Sequence, residues 1–263
     1  MSRETIGCFS VAIDSDGIAL VTFDRPPVNA VSIQVYQALS QLADRAERGG
    51  DIRVLVLAAP DHARAWCGGA DLHDFVGIDR SGRVERYALI NQVLPRFYAM
   101  QRPVIAAIGG ATIGVGMILA ALCDLRIAAE EAVFSCPEID YGLVAGSAGL
   151  FARLNMPEAK VREMLFTGAR FTARELEPTG FFNAVVPRAE LIERAMAMAR
   201  LIAAKSLPAI VARKIASSQL EGLSWTDAYL DAQRLSGELT SGQDGSEGVD
   251  AFLDRRQAKV EDR

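Results

Sequence analysis

Positions 104–123 read VIAAIGGATIGVGMILAALC, and this run of twenty uncharged residues decides how the rest of the sequence is interpreted. It is long enough to cross a bilayer as one helix, and its Gly110-xxx-Gly114 spacing occurs where membrane helices pair. Four glycines interrupt the run, however, and inside a helix each costs up to ~1 kcal/mol relative to alanine. We therefore interpret it as a buried strand (Val104–Ile108), a glycine turn and a buried helix (Met117–Leu122), and expect no membrane span.

The flanking segments alternate between strand and helix patterns. Two alternating apolar stretches, Cys8–Ile13 and Ile18–Phe23, are separated by turn residues and predict a hairpin. Helical spacing of apolar residues begins after Ser32 and ends at two glycines. The apolar run Val54–Leu57 is typical of a strand covered on both faces. This order predicts an α/β fold.

Helical patterns dominate the last part of the chain. They cover residues 191–204, 208–220, 225–239 and 246–257. The change of pattern predicts a helical C-terminal region that begins at about residue 206.

Composition excludes several functional classes. The 263 residues are 50% hydrophobic, and 28 Lys and Arg stand against 33 Asp and Glu, a net charge of −5. Without a basic surplus, nucleic acid is not the expected partner. The four cysteines are widely spaced, which favours reduced thiols in a cytoplasmic protein over disulfides or a metal site. The N-terminus carries no apolar signal sequence.

Common catalytic motifs are missing from the sequence. Gly114 and Gly116 begin a dinucleotide fingerprint whose third glycine is absent, and there is no GxxxxGK[ST] loop. No GxSxG motif surrounds a serine, and the chain has only two histidines. Nucleotide binding and Ser-His-Asp hydrolysis are therefore disfavoured.

Three other segments carry candidate chemistry. Trp66–Leu72 and Gly109–Gly116 are glycine turns that follow predicted strands and precede predicted helices. Free N–H groups at two such helix starts can bind a developing oxyanion, although ordinary tight turns have the same pattern. Glu138 stands among apolar neighbours in Phe134–Gly142, where burial would raise its pKa for proton transfer; a surface glutamate fits the same pattern.

Taken together, these segments resemble the enoyl-CoA hydratase/isomerase (crotonase) superfamily over nearly the whole chain. The matching motifs are DRPPVNA (24–30), WCGGADL (66–72), the segment 102–124 and FSCPEIDYG (134–142). The resemblance implies a crotonase-like spiral of ββα units that binds acyl-CoA over residues 1–205. It further implies that residues 206–263 form a helical trimerisation region, giving a homotrimer or a dimer of trimers. Coenzyme A would be part of the substrate, with no separate cofactor and no metal.

The resemblance also assigns site residues. The backbone N–H groups of Ala70 and Val115 are expected to hold the thioester oxygen, and Glu138 is expected to be the catalytic base. Substrate and CoA contacts are expected from the residues aligned with the family's channel, namely Arg25, Val28, Ala70, Asp71, Leu72, His73, Val115, Ile118 and Lys259.

One departure from the family pattern is informative. The family's hydratases hold water with two glutamates, and the first of these falls here on Ile118. A single glutamate suits double-bond isomerisation, which we favour. A hydratase or a C–C hydrolase of a cyclic acyl-CoA would instead need another acid or base, with Asp74, Asp140 and Tyr141 as candidates. A non-catalytic acyl-CoA binder is a third hypothesis. The stretch 75–95 is expected to be a loop that sets acyl specificity.

Overall fold

The computed structural model describes residues 2–75, 80–141 and 156–220, with residues 254 and 256. The strands are β1 (Ser2–Ile6), β2 (Phe9–Ile13), β3 (Ile18–Phe23), β4 (Val54–Ala58), β5 (Ala65–Cys67), β6 (Val104–Ile108), β7 (Ala111–Ile113), β8 (Leu125–Ala129), β9 (Val133–Ser135), β10 (Phe171–Thr172) and β11 (Ala184–Val186). The helices are α1 (Ile33–Arg48), α2 (Arg80–Tyr98), α3 (Val115–Leu122), α4 (Glu158–Thr167), α5 (Ala173–Leu176), α6 (Leu191–Ala203) and α7 (Leu207–Leu220). Two short 3₁₀ helices, Leu72–Phe75 and Pro137–Tyr141, border the site discussed below.

The described strands form two sheets that the chain visits in turn. The larger sheet has the order β1-β2-β3-β4-β6-β8-β11 and the smaller one β10-β9-β7-β5. In each of the pairs β4–β5, β6–β7 and β8–β9, the first strand joins the larger sheet and the second joins the smaller one. A helical segment follows each pair. This repeated ββα unit is the spiral that the sequence predicts.

The uncharged run 104–123 folds as β6, a glycine corner, β7 and α3, so it is not one helix. Gly110 is required at the corner, because a Cβ there would lie 2.6 Å from the carbonyl oxygen of Arg64. Helix α3 begins at Val115, two residues before the predicted start. No single helix in the described ranges is long and apolar enough to cross a membrane, although Arg188–Ala203 and Leu207–Ser217, bent by 106°, pass that test jointly.

The predicted hairpin is present as β2 and β3, which pair antiparallel. Strand β1 was not predicted from the sequence. It extends the hairpin at its outer edge by pairing with β2. Its side chains are mostly exposed and include Arg3 and Glu4. Charged edge strands lack the apolar alternation on which strand prediction depends, which explains the omission.

The sequence predicts a loop over residues 75–95. This prediction is wrong for most of the stretch, because residues 80–98 form α2. Helix α2 packs along α1 and buries Val93 and Phe97. Arg96 reinforces this contact by binding Asp44 and Glu47 of α1, at 2.7 and 2.9 Å. The first residues of α2 are polar, so the sequence showed no apolar helical pattern there and the helix was not predicted. Residues 76–79 lie outside the described ranges.

The start of the C-terminal region is attached to the core. Arg53 donates from Nε to the carbonyl of Ala203 and from Nη2 to that of Lys205, at 3.0 and 2.5 Å. Lys214 of α7 binds Asp124 at 2.8 Å. The predicted boundary between the core and the C-terminal region, at residue 206, falls at the break between α6 and α7. Both this division and trimerisation stay predictions. The predicted helices 225–239 and 246–257, like Lys259, lie outside the described residues.

Asn29 joins three parts of the fold below the smaller sheet. Its Nδ2 donates to the carbonyls of Phe23 and Ala65 at 3.0 and 3.1 Å, and its Oδ1 accepts from the N–H of Arg25 at 2.7 Å. The residue is buried, with 3% of its surface exposed, and its φ is +53°. It links the end of β3, the start of β5 and the turn that follows β3.

We expect Asn29→Asp to destabilise the protein by about 3 kcal/mol, because it replaces a buried donor with a negative oxygen facing carbonyls. Asp tolerates the positive φ nearly as well as Asn, so the backbone is not the cause. The measurement is the midpoint of urea unfolding. Asp24→Asn, an exposed swap of the same two residue types, is the control and should change stability by less than about 0.5 kcal/mol. Equal midpoints for Asn29→Asp and the wild type would contradict this role.

Candidate active site

Three short parallel strands place the candidate residues at one sheet edge. Strand β7 pairs in parallel with β5 on one side and with β9 on the other. The carboxyl ends of neighbouring parallel strands meet at a common edge, where α/β proteins commonly bind ligands. Ala70 follows β5, Val115 follows β7 and Glu138 follows β9. The sheet therefore brings the predicted donors and the predicted base together.

The N–H of Ala70 is directed away from its neighbouring strand. Ala70 forms an isolated parallel bridge with Val31, in which the two flanking residues make the hydrogen bonds. The N–H of Val31 donates to Gly69 and the N–H of Asp71 donates to Val31, at 2.7 and 2.9 Å. In a parallel bridge the central N–H points to the opposite side. This geometry directs the Ala70 N–H away from Val31, and the helical segment that follows is a 3₁₀ helix, Leu72–Phe75.

The N–H of Val115 has no partner within its own helix, as the sequence predicts for a helix start. Val115 is the first residue of α3, and N–H groups in the first helical turn have no partner within the helix. The turn before it is held by the N–H of Gly114, which donates to Ser135 at 2.9 Å. The two turns also touch. A Cβ on Gly69 would lie 3.1 Å from the carbonyl oxygen of Ile113.

Glu138 lies against the start of α3. A Cβ on Gly114 would be only 2.6 Å from Glu138 Oε1, so this carboxylate sits directly beside the residue that precedes the Val115 donor. Among the described residues, the buried Oε2 has no hydrogen-bond partner. Burial raises the pKa of Glu138, opposed in part by a backbone hydrogen bond. The surroundings thus suit a group that exchanges protons rather than a permanent anion.

Ile118 occupies the next turn of α3 on the side of Val115, since residues three apart share a helix face. Both side chains are half-buried and pack against the main core. Neither supplies a polar atom, so this face of the helix is apolar where the family's hydratases carry a glutamate.

The other acid or base candidates are Asp74, Asp140 and Tyr141. Asp74 accepts the N–H of Ile33 at 3.0 Å and lies 3.8 Å from Arg86. Asp140 is exposed, with Oδ2 3.0 Å from the position of a Cβ on Gly168. The side chain of Tyr141 lies outside the described part of the chain. No group of three potential metal ligands occurs within the described ranges.

The predicted CoA contacts group around Asp71. Its carboxylate binds Arg25 Nη2 at 2.6 Å and His73 Nδ1 at 2.8 Å. The hydrogen bonds from His73 and then Arg25 lower the pKa of Asp71 to about 2. Arg25 also donates to the carbonyl of Ala30, so its guanidinium is already engaged. Leu72 and Val28 expose 58% and 41% of their surfaces beside this cluster.

Two features of the site were not predicted from the sequence. Gly114 was treated only as part of a turn, whereas its missing Cβ gives Glu138 its place. Its position directly before a helix and after a strand was the available signal. Asp74 acts as a distant cap for α1, and no local pattern could reveal this because the two segments are 41 residues apart.

Comparison with known proteins agrees with this geometry. The family model described as enoyl-CoA hydratase/isomerase matches residues 14–263. A Bacillus subtilis protein named "Probable enoyl-CoA hydratase" is 33% identical, over 96% of this chain and 98% of its own length. A (7aS)-7a-methyl-1,5-dioxo-2,3,5,6,7,7a-hexahydro-1H-indene-carboxyl-CoA hydrolase of Rhodococcus jostii is 31% identical, over 92% of each chain.

Among solved structures, an enoyl-CoA hydratase of Mycobacterium smegmatis superposes with a TM-score of 0.90 at 28% identity. The match covers 96% of this chain and 98% of that one. Sequence and structure thus agree over nearly the full length, and the chain belongs to the enoyl-CoA hydratase/isomerase family.

Proposed function

We propose that this member of an acyl-CoA enzyme family moves the double bond of a 3-enoyl-CoA to the 2-position, with Glu138 as its only proton-transfer base. The observation that carries the proposal is the placement of the half-buried Glu138 carboxylate against Gly114, directly before the Val115 donor. Base and oxyanion donor would then act on neighbouring atoms of one thioester.

The reaction needs two proton transfers and one stabilised anion. Glu138 removes a proton from C2, and the electrons of that bond pass into the thioester carbonyl to give a dienolate. The N–H groups of Ala70 and Val115 donate to its oxygen. Protonated Glu138 then delivers the proton to C4, and the double bond forms between C2 and C3. The proton count balances, so this chemistry calls on no cofactor beyond the CoA of the substrate.

The surroundings of Glu138 support isomerisation over hydration. Ile118 neither holds water nor accepts a proton, Asp74 is engaged by the N–H of Ile33, and Asp140 is exposed. The sequence from 142 to 155, which follows the Glu138 segment, contains no acidic residue. An apolar wall at Ile118 limits the competing addition of water to C3 of the 2-enoyl product.

Hydration, or hydrolysis of a C–C bond in a cyclic acyl-CoA, is the alternative function. The names of relatives favour it, since hydratases and one carboxyl-CoA hydrolase are among them. Both reactions place an oxygen atom from water in the product, whereas isomerisation does not. Binding of acyl-CoA without turnover would indicate a non-catalytic member.

Assembly and location complete the proposal. We propose a homotrimer or dimer of trimers in the cytoplasm, in which Lys259 and Arg25 contact CoA phosphates. The exposed apolar side chains of Phe166 and Leu201 support a subunit interface, and four free cysteines support a reducing compartment.

We expect Glu138→Gln to lower kcat for a 3-enoyl-CoA by roughly 10²- to 10⁴-fold, because the amide cannot accept the C2 proton. The measurement is appearance of the conjugated 2-enoyl thioester. Glu131→Gln changes an exposed glutamate in the same way and should leave kcat unaltered. Isomerisation at the wild-type rate by the Glu138 variant would remove this residue from the mechanism.

The pH profile should report the raised pKa of Glu138. Because the base acts as a carboxylate, kcat/KM is expected to fall as pH decreases through that pKa, at a pH above the ordinary 4.5. The free energy of unfolding changes in the opposite direction. Because the folded state favours the protonated carboxyl of Glu138, raising the pH ionises this group and lowers the stability of the protein. Glu138→Gln should therefore have a higher Tm than the wild type at pH 7, with the difference vanishing in acid. An acid limb at or below pH 4.5 would show that the environment does not tune this base.

We expect Ile118→Glu to introduce hydration of a 2-enoyl-CoA, because it restores a second carboxylate one helical turn from Val115. The measurement is incorporation of ¹⁸O from labelled water, which the wild type should lack. Ile118→Gln, of the same size but without a base, is the matched control and should remain unlabelled. Labelled product from the wild type itself would overturn isomerisation in favour of hydration or hydrolysis.

A further inference from the structure

Ser135 is the last residue of β9 and stands three positions before Glu138. It is buried, with 1% of its surface exposed, and its Oγ donates to the carbonyl of Gly168 at 2.9 Å. Its own carbonyl accepts the N–H of Gly114 at 2.9 Å. One residue therefore contacts both the turn before the Val115 donor and the end of α4.

The hydroxyl of Ser135 makes its bond at the point where the backbone pairing of β9 with β10 stops. These two strands form two antiparallel residue pairs, and the later one along β9 joins Phe134 to Phe171. The next residue is Ser135, after which the chain enters the 3₁₀ helix Pro137–Tyr141. The side-chain bond to Gly168 thus continues the attachment beyond the last strand pair.

Gly168 is a fixed acceptor because it ends a helix that is anchored in the core. It caps α4 by donating its N–H to the carbonyl of Met164 at 3.0 Å, and Met164 is buried. Its φ is +63°, a conformation that glycine adopts without strain. Asp140 lies against the same residue, with Oδ2 3.0 Å from the position of a Cβ on Gly168. The segment that carries Glu138 therefore contacts Gly168 both before and after the glutamate.

Little conformational freedom separates the Ser135 hydroxyl from the Glu138 carboxylate. Two residues, Cys136 and Pro137, lie between them in the chain, and the proline ring fixes its own φ. The carboxylate packs on Gly114, where Oε1 is 2.6 Å from the position of a Cβ. Ser135, Gly114 and Glu138 thus form a closed set of contacts. A shift of this segment away from α4 would also draw the carboxylate away from Gly114.

We propose that Ser135 is a positioning residue for the reaction: its hydroxyl fastens the Glu138 segment to α4 and so holds the base beside the Val115 donor. This inference rests on the proposed function, because it takes Glu138 as the proton-transfer base. Reaction rates depend steeply on such geometry, and a displacement of about 1 Å can cost roughly 10²-fold. Any residue at position 135 could offer its carbonyl to Gly114, so the hydroxyl is the specific contribution of serine.

The test replaces Ser135 with alanine, which removes one oxygen atom and adds no bulk. We expect Ser135→Ala to lower kcat for a 3-enoyl-CoA by roughly tenfold and to change KM by less than about twofold, because substrate contacts remain while the base is misplaced. The acid limb of kcat/KM should move to lower pH. A released carboxylate gains contact with water, and its pKa then falls toward the ordinary value.

Thr112→Val is the matched control. Thr112 carries another buried hydroxyl of the smaller sheet, on the neighbouring β7, and donates to the carbonyl of Gly110 at 3.2 Å. Both substitutions remove one hydrogen bond, so each should lower Tm by about 2 to 4 °C. Because the bond of Thr112 lies within the corner between β6 and β7, Thr112→Val should leave kcat, KM and the acid limb unchanged.

An NMR titration reports the surroundings of the carboxylate without turnover. In protein labelled with ¹³C at glutamate Cδ, the Glu138 signal is the one lost in Glu138→Gln. Its titration midpoint should be lower in Ser135→Ala than in the wild type. If the enzyme hydrates rather than isomerises, or if Glu138→Gln stays active, the proposed function fails while this shift remains measurable. The two proposals therefore fail separately.

Each other result counts against the positioning role. An unchanged kcat in Ser135→Ala, or a lower kcat with an unchanged titration midpoint, would overturn it. An equal fall of kcat in Ser135→Ala and Thr112→Val, or a Ser135→Ala variant that does not fold, would identify a purely structural residue. A higher KM with constant kcat would place the hydroxyl in substrate binding and would likewise overturn the proposal.

Discussion

The parallel register of β5, β7 and β9 is the constraint on which the candidate site depends. These strands are only three residues long, yet each ends where a functional segment begins. Because their carboxyl ends share one edge, Ala70, Val115 and Glu138 converge although 68 positions separate the first from the last. The short strands hold this register through contacts outside the smaller sheet, such as the hydrogen bond between Asn29 and Ala65.

Much of the fold could be predicted, because the signals were local. The glycines and apolar runs around positions 104–123 determined the sequence of strand, corner and helix, and the order of motifs indicated the spiral. For these elements the relevant physics acts over a few residues, so a single sequence contains it. Glu138 and Val115 were proposed as site residues through the family resemblance, since their local patterns alone also fit a surface glutamate and an ordinary glycine turn.

The parts that were missed depend on contacts between distant segments. Helix α2 begins with polar residues, and its buried side becomes evident only against α1. The free N–H of Ala70 arises from its bridge to Val31, not from a helix start. The contact between the Asp71 carboxylate and Arg25 joins segments 46 positions apart, so no local pattern indicated it. Such contacts depend on which segments the folded chain brings together, so no periodic pattern in the sequence predicts them.

Asp74 caps α1 from a distant segment, although the residue that ordinarily caps a helix is the one directly before it, here Ser32. Since the helix start is secured from another segment, Ser32 can be exchanged without loss of that cap. Position 32 can therefore accept another small side chain without loss of the helix start, whereas Tyr36 belongs to the buried core. The start of α1 thus depends on the 3₁₀ helix Leu72–Phe75 and not on the residue that directly precedes it.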